Sequence, residues 1–298
     1  MPEPALVTAV RVVICTYQSA SEVADAISSC LDQGLAQEQL TVVDNHSSDG
    51  TPEVVAGQFP GVRLMSLRRN LGFAAAVNRG AEGSGGEFVL LLNPDARLAG
   101  GALEHMVIAL LADPLRGAVS PRILRPDGAL DRACRRTFPS PEIAVYRLLG
   151  LSRLLPRSAR MGAYNLTHIS PELPMVVDSG SGACLLVRRQ VWDQVGGLDE
   201  GYFMYGEDLE LCWQIRELGR HVWYEPSASV LHLKGRSSEK AALAMLVHFH
   251  YSMWRFYSRH YRRGAQGWLA PLVGLGIAAR LLALLVLNSL RKRPRVSP

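Results

Sequence analysis

The chain has 298 residues, of which 48% are hydrophobic, and a formal net charge of +5. This length and apolar content suffice for a large core and exclude a globally disordered chain. The odd number of cysteines, five, and the lack of a Cys-x-x-Cys pair argue against a disulfide framework and a zinc site. We therefore expect reduced, structural thiols in a cytoplasmic protein, and residues 1–9 lack the pattern of a signal peptide.

Strands alternate with helices over the first 112 residues. Residues 9–16, 39–43, 62–66 and 88–92 are predicted strands, and residues 19–32, 51–58, 72–83 and 103–111 are predicted helices. This alternation is typical of a mostly parallel, doubly wound α/β sheet flanked by helices.

The pattern is less regular after residue 112. Residues 116–164 are rich in Pro and Arg, which predicts a variable insertion. Strand character returns over 176–187, and an amphipathic helix over 207–218 is closed by Gly219. Two short strands are predicted at 222–224 and 229–233.

The C-terminal tail carries the positive charge. Residues 241–298 contain nine Lys and Arg and no Asp or Glu, so the tail is +9 and the rest of the chain is 5 − 9 = −4. An acidic body with a basic, apolar tail favours a membrane surface over a nucleic acid as partner.

Residues 268–290 are long enough to span a bilayer, but Arg280 lies in the middle of this segment. We therefore expect a helix that lies in or on the membrane, with Arg291, Lys292, Arg293 and Arg295 at anionic headgroups. The alternative is a helix that packs on the body or in a dimer.

The segment from Glu87 to Ala96 is the first candidate for chemistry. The apolar run 88–92 ends at Asn93-Pro94 and is followed by the carboxylate of Asp95. Ligands of open α/β sheets bind at the carboxyl ends of strands, and a carboxylate suits Mg²⁺ or Mn²⁺. On its own, however, this segment is better explained as a strand followed by an ordinary turn.

An ordered set of motifs changes that interpretation. The set is Cys15-Thr16-Tyr17; Asp44-Asn45-x-Ser47-x-Asp49-Gly50-Thr51; Asn70-x-Gly72-Phe73 with Asn78; Asn93-Pro94-Asp95; Asp178-x-Gly180-x-Gly182-Ala183; Gly206-Glu207-Asp208; and His232. Over about residues 9–235 it resembles glycosyltransferase family 2, the inverting enzymes of GT-A fold that use nucleotide-sugar donors. Within this family the chain looks most like bacterial rhamnosyltransferases, in which Asn-Pro-Asp replaces Asp-x-Asp.

The resemblance implies a donor site at the ends of the first strands. Its donor-binding residues are Thr16, Tyr17, Asp44, Arg69, Asn70, Gly72, Asn93 and Asp95. Asp95 and His232 are implied to hold a Mg²⁺ or Mn²⁺ ion, and Asn93 to hydrogen-bond the ribose or a metal-bound water. The alternatives are a turn-capping role for Asp44 and a solvated side chain for Arg69.

The resemblance also implies an acceptor site. Asp208 is implied as the catalytic base and Glu207 is the second choice, although carboxylates in the first turn of a helix are also favoured by the helix dipole. The acceptor side is implied to include Asp178, Gly180, Gly182 and Tyr205.

The resemblance implies a GT-A catalytic domain over residues 1–239, with a nucleotide-binding half (9–112) and an acceptor half (113–239). Residues 240–298 are implied to form membrane-associating helices at the cytoplasmic face of the membrane. The implied donor is dTDP-L-rhamnose and the implied acceptor a polyprenyl-diphosphate-linked sugar, with GlcNAc as in the actinobacterial enzymes of cell-wall synthesis. The alternatives are another nucleotide sugar or a non-catalytic sugar-nucleotide-binding envelope protein, and oligomer formation stays open.

Overall fold

A computed structural model describes residues 7–233, 242–264 and 267–289. The strands are β1 (Val10–Thr16), β2 (Leu40–Asp44), β3 (Arg63–Ser66), β4 (Phe88–Leu92), β5 (Ala96–Leu98), β6 (Arg116–Leu124), β7 (Met175–Val177), β8 (Cys184–Arg188) and β9 (His221–His232). The helices are α1 (Val23–Leu31), α2 (Thr51–Gln58), α3 (Phe73–Ala81), α4 (Ala102–Leu111), α5 (Pro141–Leu148), α6 (Leu151–Leu154), α7 (Arg189–Val195), α8 (Glu207–Glu217), α9 (Ala242–His260) and α10 (Ala270–Ser289).

The strands form one sheet of order β3-β2-β1-β4-β8-β6-β9-β5, with β7 paired to β9. The first four strands in this order are parallel, as predicted. β1, β2 and β4 are largely apolar, which fits their burial on both faces, whereas β3 at the edge of the sheet is partly exposed. Thr16 and Asp44 are register partners, so the predicted donor residues of β1 and β2 lie at one edge of the sheet.

The second half of the sheet is mixed. β8 pairs antiparallel with β4 and β6, whereas β6 and β9 are parallel, and β5 and β7 add antiparallel pairs to β9. The α/β class with flanking helices is therefore confirmed, with its parallel character concentrated in β1 to β4.

Two of the predicted elements were wrong. Residues 116–124 form β6, a buried strand inside the sheet, instead of the start of an insertion. Pro121 obscured the pattern because proline interrupts a strand ladder, and the register shifts between Pro121 and Arg122. The two short strands predicted within 222–233 are one strand, β9. At the same register shift, Pro121 of β6 pairs with Glu225 of β9, and the next residue, Arg122, pairs with Ser229.

The helix α9 packs on the α/β body through ion pairs. Arg255 lies 2.9 Å from Asp199, and the imidazole of His260 lies 2.8 Å from the fully buried carboxylate of Glu210. The predicted boundary at 239/240 lies outside the described residues, as does the basic cluster 291–295. Residues 267–289 are long and apolar enough to cross a membrane, and α10 exposes most of its apolar side chains.

The five cysteines are buried and free, as predicted. Burial raises the pKa of the Cys15 thiol to about 12 and that of Cys134 to about 11. A thiol with so high a pKa is a poor nucleophile, which fits a structural role.

Candidate active site

The turn after β4 brings Asp95 and His232 together. Ala96 donates its N–H to the Asn93 carbonyl at 3.1 Å, so the chain reverses at once into β5. Because β5 pairs with β9 with Ala96 opposite His232, the two side chains meet. Oδ1 of Asp95 lies 3.2 Å from Nε2 of His232, and Leu233 donates to the Asp95 carbonyl at 2.9 Å.

His232 is also contacted on its other ring nitrogen. Its Nδ1 is 3.6 Å from Oδ2 of Asp131, and the amide nitrogen of Asn93 is 3.4 Å from Nε2. Burial lowers the pKa of His232, but Asp131 and Asp95 raise it by more, to about 9. Without a metal ion, this raised pKa favours the protonated, positively charged imidazole beside Asp95.

The Asp95–His232 pair fits a divalent cation. Over residues 7–233, 242–264 and 267–289, no cluster of three or more His, Cys, Asp or Glu side chains is arranged to hold a metal. A carboxylate oxygen and an imidazole nitrogen nevertheless suit Mn²⁺ and Mg²⁺, and a carboxylate behind the imidazole, here Asp131, is a common second partner of a metal-bound histidine. The other coordination positions of such an ion would be left for diphosphate oxygens. The assignment of Asp95 and His232 as metal ligands stays a prediction.

Thr16 and Asp44 form a buried pair at the ends of β1 and β2. The Thr16 hydroxyl donates to Oδ1 of Asp44 at 3.0 Å, and the Ser47 amide donates to Oδ2 at 2.9 Å. Asp44 is only 1% exposed. Its hydrogen bond from the Ser47 amide stabilises the turn that follows β2, which is the capping role of the alternative interpretation. Tyr17 is the exposed side chain at this end, and the donor-binding roles of all three stay predictions.

Gly72 is required by a neighbouring loop. Its φ is +87°, and a Cβ there would lie 2.5 Å from the carbonyl oxygen of Phe203. Phe73 donates to the same carbonyl at 2.8 Å, while the Asn70 side chain accepts from the Gly72 amide at 2.9 Å. The lack of a side chain at Gly72 therefore lets the backbone of Phe203 approach this position. Arg69 is exposed, and the nucleotide contacts of these residues stay predictions.

Asp208 is the second residue of α8, and its carboxylate is held by three donors. Its Oδ2 accepts from Nη2 of Arg136 at 2.8 Å and from the Gly182 amide at 3.2 Å, and its Oδ1 accepts from the Leu209 amide at 2.8 Å. A carboxylate offers about four lone-pair positions, so about one is left for a further donor such as a hydroxyl group. The three hydrogen bonds orient the Asp208 carboxylate and leave it able to accept one more.

Glu207, the neighbour of Asp208, lies in a different environment. It is 6% exposed, and its Oε2 has no hydrogen-bond partner among the described residues. Burial, and next the charge of Asp208, raise the pKa of Glu207 to about 8. The raised pKa disfavours the ionised form of Glu207, whereas the Asp208 carboxylate is oriented by three donors.

Arg136 is a site residue that the sequence did not reveal. Besides Asp208, it donates to the Gly180 carbonyl at 2.6 Å. Burial lowers the pKa of Arg136, but Asp208 raises it by more, so the guanidinium stays charged. The only signal was the Arg135-Arg136 pair in a region predicted to be variable. Arg135 is structural, since it donates to the carbonyls of Ser170 and Ile169.

The four predicted acceptor residues have different surroundings, and only Gly182 directly contacts Asp208. Gly182 contacts Asp208 through its amide, whereas Asp178 accepts from the Phe138 amide at 2.9 Å. A Cβ on Gly180 would lie 2.6 Å from Cβ of Ser120, so packing alone requires this glycine. Tyr205 has φ +69° and meets the ring of Phe249 edge-on at 5.8 Å. Their acceptor roles stay predictions.

Sequence comparison places this geometry in a family. The model of "Glycosyl transferase family 2" matches residues 11–192. The chain is 35% identical over 270 residues to N-acetylglucosaminyl-diphospho-decaprenol L-rhamnosyltransferase of Mycobacterium tuberculosis, with 86% of each chain covered. It is 26% identical over 242 residues to galactofuranosyltransferase GlfT1 of Mycolicibacterium smegmatis, covering 80% of this chain and 76% of that protein.

Solved structures show the same fold. The mannosyltransferase PcManGT of Pyrobaculum calidifontis, in complex with GDP-Man and Mn²⁺, matches with a TM-score of 0.58 at 20% identity, covering 97% of this chain and 81% of that one. GalNAc-T7 with UDP, GalNAc and Mn²⁺ matches with a TM-score of 0.55 at 14% identity, covering 92% and 55%. The chain therefore belongs to glycosyl transferase family 2 and is a glycosyltransferase of GT-A fold.

Proposed function

We propose that this glycosyltransferase transfers L-rhamnose from dTDP-L-rhamnose, with inversion, to a polyprenyl-diphosphate-linked GlcNAc. The observation that carries the reaction type is the Asp95–His232 contact of 3.2 Å at the carboxyl end of β4, where a nucleoside diphosphate and its metal ion would bind. The donor and acceptor rest on the similarity to the mycobacterial rhamnosyltransferase, whose name specifies GlcNAc-diphospho-decaprenol.

In this proposal Asp95 and His232 hold Mg²⁺ or Mn²⁺. When bound there, the ion would neutralise the charge that develops on the departing diphosphate. Asn93 belongs to the same site, because its side-chain amide nitrogen lies 3.4 Å from Nε2 of His232. Thr16, Tyr17 and Asp44 are assigned to bind the nucleobase and the ribose of the donor.

Asp208 is assigned as the catalytic base. It takes the proton of the acceptor hydroxyl while that oxygen forms its bond to the anomeric carbon. The bond from the anomeric carbon to the diphosphate oxygen breaks, and its electron pair leaves with the nucleoside diphosphate. Arg136 and the Gly182 amide fix the carboxylate, and one base suffices for a single displacement with inversion.

The exposed apolar face of α10 supports an assignment to the surface of the cell membrane, and the cytoplasmic side is taken from the family resemblance. Leu272 and Leu275 are 66% and 69% exposed, and Trp268, in the turn before α10, is 79% exposed. Arg280 is directed toward His250 of α9, which favours a helix that lies in the interface over one that spans the bilayer. Vesicle flotation should recover the wild-type protein with anionic lipid, and Leu272→Glu combined with Leu275→Glu should reduce the recovered fraction.

A donor panel tests the proposal. The purified enzyme is incubated with polyprenyl-diphosphate-GlcNAc and, separately, dTDP-L-rhamnose, UDP-GlcNAc, UDP-galactose or GDP-mannose, with Mg²⁺, with Mn²⁺ or with chelator. We expect a rhamnosylated lipid only with dTDP-L-rhamnose and a divalent ion. Product with a UDP-sugar alone would overturn the donor assignment. Donor binding without product from any combination would instead favour a non-catalytic binding protein.

A further inference from the structure

The loop at residues 199–206 lies between α7 and α8, the helix that carries Asp208. Its last residue, Gly206, directly precedes Glu207, so the position of this loop sets where α8 begins. Tyr205 and Gly206 adopt φ angles of +69° and +86°. A φ of this sign is unfavourable for tyrosine, so the conformation of the loop depends on contacts with its surroundings.

One side of the loop is held by α3. The side chain of Asn78 accepts from the Leu198 amide at 2.8 Å and donates to the Leu198 carbonyl at 2.8 Å. Its amide group also donates to Oε1 of Glu200 at 3.1 Å. Phe73 donates its N–H to the Phe203 carbonyl at 2.8 Å. These hydrogen bonds fix the loop to α3 at its start and near its middle.

The other side of the loop is held by α9. Nη2 of Arg255 donates to both carboxylate oxygens of Asp199 at 2.9 Å, and Nη1 of Arg259 contacts the same carboxylate at 2.5 Å. Burial raises the pKa of Asp199, but the hydrogen bonds from Arg255 and the Gly201 amide lower it by more, which favours the ion pair. A Cβ on Gly201 would overlap the Arg255 guanidinium, so this arginine packs directly on the backbone of the loop.

The helix α9 also contacts every residue of the loop from 202 to 205. The contacts are a cation–π contact, a stacked ring pair, a hydrogen bond and an edge-on ring pair. One helix therefore supports a loop that includes a residue with an unfavourable φ. The partners are, in order, the Arg255 guanidinium and the Tyr202 ring at 5.1 Å, His248 and Phe203 at 4.4 Å, the Ser252 hydroxyl and the Met204 carbonyl at 3.2 Å, and Phe249 and Tyr205 at 5.8 Å.

The helix that carries Asp208 is held by α9 as well. The buried carboxylate of Glu210, two residues after Asp208, lies 2.8 Å from Nε2 of His260. The ring of Phe256 lies 6.1 Å from the ring of Phe138, which belongs to the segment that supplies the arginine partner of Asp208. Both supports of the Asp208 carboxylate, its own helix and the segment of its ion-pair partner, thus pack on α9.

We propose that Arg255 is a positioning residue for sugar transfer. By holding Asp199, it keeps the 199–206 loop, and with it the start of α8, in place. Asp208 then lies where it can take the proton of the acceptor hydroxyl. The inference rests on the proposed function, in which Asp208 is the base. It gives the C-terminal region a role in the chemical step that does not depend on membrane contact. A displacement of about 1 Å at a reacting group can cost a 100-fold loss of rate, so a support outside the site can control turnover.

Initial rates of transfer from dTDP-L-rhamnose to polyprenyl-diphosphate-GlcNAc in detergent test this role. Arg255→Gln should lower kcat roughly 10–100-fold and leave donor affinity close to that of wild type. Arg255→Lys should recover part of the rate, because a lysine keeps the positive charge opposite Asp199. The matched control is Arg263→Gln, which removes the same charge from an exposed arginine just after α9. Equal kcat values of Arg255→Gln and Arg263→Gln would overturn the proposal.

A double variant shows whether Arg255 acts through Asp199. Asp199→Asn also lowers kcat in this proposal, since it removes the other partner of the same contact. The combination of Asp199→Asn with Arg255→Gln should therefore lose no more rate than Asp199→Asn alone. Losses that multiply in the double variant would overturn the link between the two residues.

Hydrogen–deuterium exchange separates positioning from general destabilisation, and it needs no substrate. In Arg255→Gln, faster exchange should be confined to residues 199–210 and the facing turn of α9, while β1, β2 and β4 exchange as in wild type. Faster exchange throughout the α/β body would identify a merely structural role and overturn the proposal. If the wild type transfers no rhamnose from dTDP-L-rhamnose, the proposed function fails. The exchange of residues 199–210 then decides by itself whether Arg255 holds the loop.

Discussion

Oδ1 of Asp95 lies 3.2 Å from Nε2 of His232, although more than a hundred positions separate the two residues in the chain. The contact follows from the antiparallel pairing of the three-residue strand β5 with the end of β9. Asp131, whose N–H donates to the Ile123 carbonyl of β6 at 2.8 Å, lies behind the imidazole at 3.6 Å. The relationship has consequences that can be measured.

Asp95→Asn should abolish metal-dependent turnover, because an amide is a much weaker ligand for a divalent cation than a carboxylate. Asp131→Asn should be milder, since it alters only the partner of the ligand, and we expect a 10–100-fold loss of Mn²⁺ affinity. Mn²⁺ binding by isothermal titration calorimetry, with the donor nucleotide present, measures both. The control is Asp127→Asn, an exposed carboxylate in the preceding loop. Equal metal affinity of Asp131→Asn and wild type would contradict the role of Asp131.

Metal binding should release a proton from His232. Its pKa is about 9 in the absence of metal: burial lowers it, and Asp131 and Asp95 raise it by more. A metal ligand must be the neutral imidazole, so Mn²⁺ affinity should rise about 10-fold per pH unit below 9 and level off above it. Calorimetry in buffers of different ionisation enthalpy counts the released protons. An affinity that does not change between about pH 6.5 and 8.5 would exclude His232 as a ligand.

Asp208→Asn should lower kcat by about 10²–10⁴-fold, because the amide accepts no proton from the acceptor hydroxyl. Donor affinity should be unchanged, since the substitution keeps the shape of the side chain. Initial rates at saturating donor and equilibrium donor binding measure the two effects separately. Asp193→Asn, at an exposed carboxylate of α7, is the matched control. Normal turnover by Asp208→Asn would rule out this residue as the base.

Arg136→Gln should destabilise the fold by about 3 kcal/mol, because it leaves the largely buried Asp208 without its ion-pair partner. The same substitution on the Asp208→Asn background should cost much less, since no buried carboxylate then remains unpaired. Urea unfolding of the wild type, both single variants and the double variant gives the coupling energy. Additive effects would show that the 2.8 Å contact contributes nothing to stability.

Glu207 should make the protein less stable as the pH rises. Its folded pKa of about 8 lies above its usual 4.5, so its contribution to stability is complete below about pH 4.5 and is lost as the pH rises through 8. Glu207→Gln cannot ionise and should exceed the wild type by about 1–3 kcal/mol near pH 8.5, with little difference near pH 4. Urea unfolding across this range, with the exposed Glu217→Gln as control, measures the effect. Parallel pH profiles of wild type and Glu207→Gln would refute the raised pKa.

The parallel part of the sheet, β1 to β4, was predictable because its sequence signals are local. The run from Phe88 to Leu92 is apolar because both faces of β4 are buried, and its observed bounds equal the predicted ones. β6 was missed because Pro121 and its flanking arginines hide a strand whose burial depends on β8 and β9. A single sequence does not carry that information, since those neighbours come from distant parts of the chain.

By itself, the sequence determined the alternation of buried strands and helices, the reduced thiols and the set of motifs that indicates the family. These features arise from hydrophobic periodicity and residue chemistry, which act over a few positions. Only the tertiary structure decided that Asp131 lies behind His232, that Arg136 holds Asp208 and that burial next to Asp208 raises the pKa of Glu207. The same is true of Arg280, whose guanidinium is directed at His250 and Phe249. Ion pairs and pKa values depend on distance and burial, and these are set only when remote segments pack.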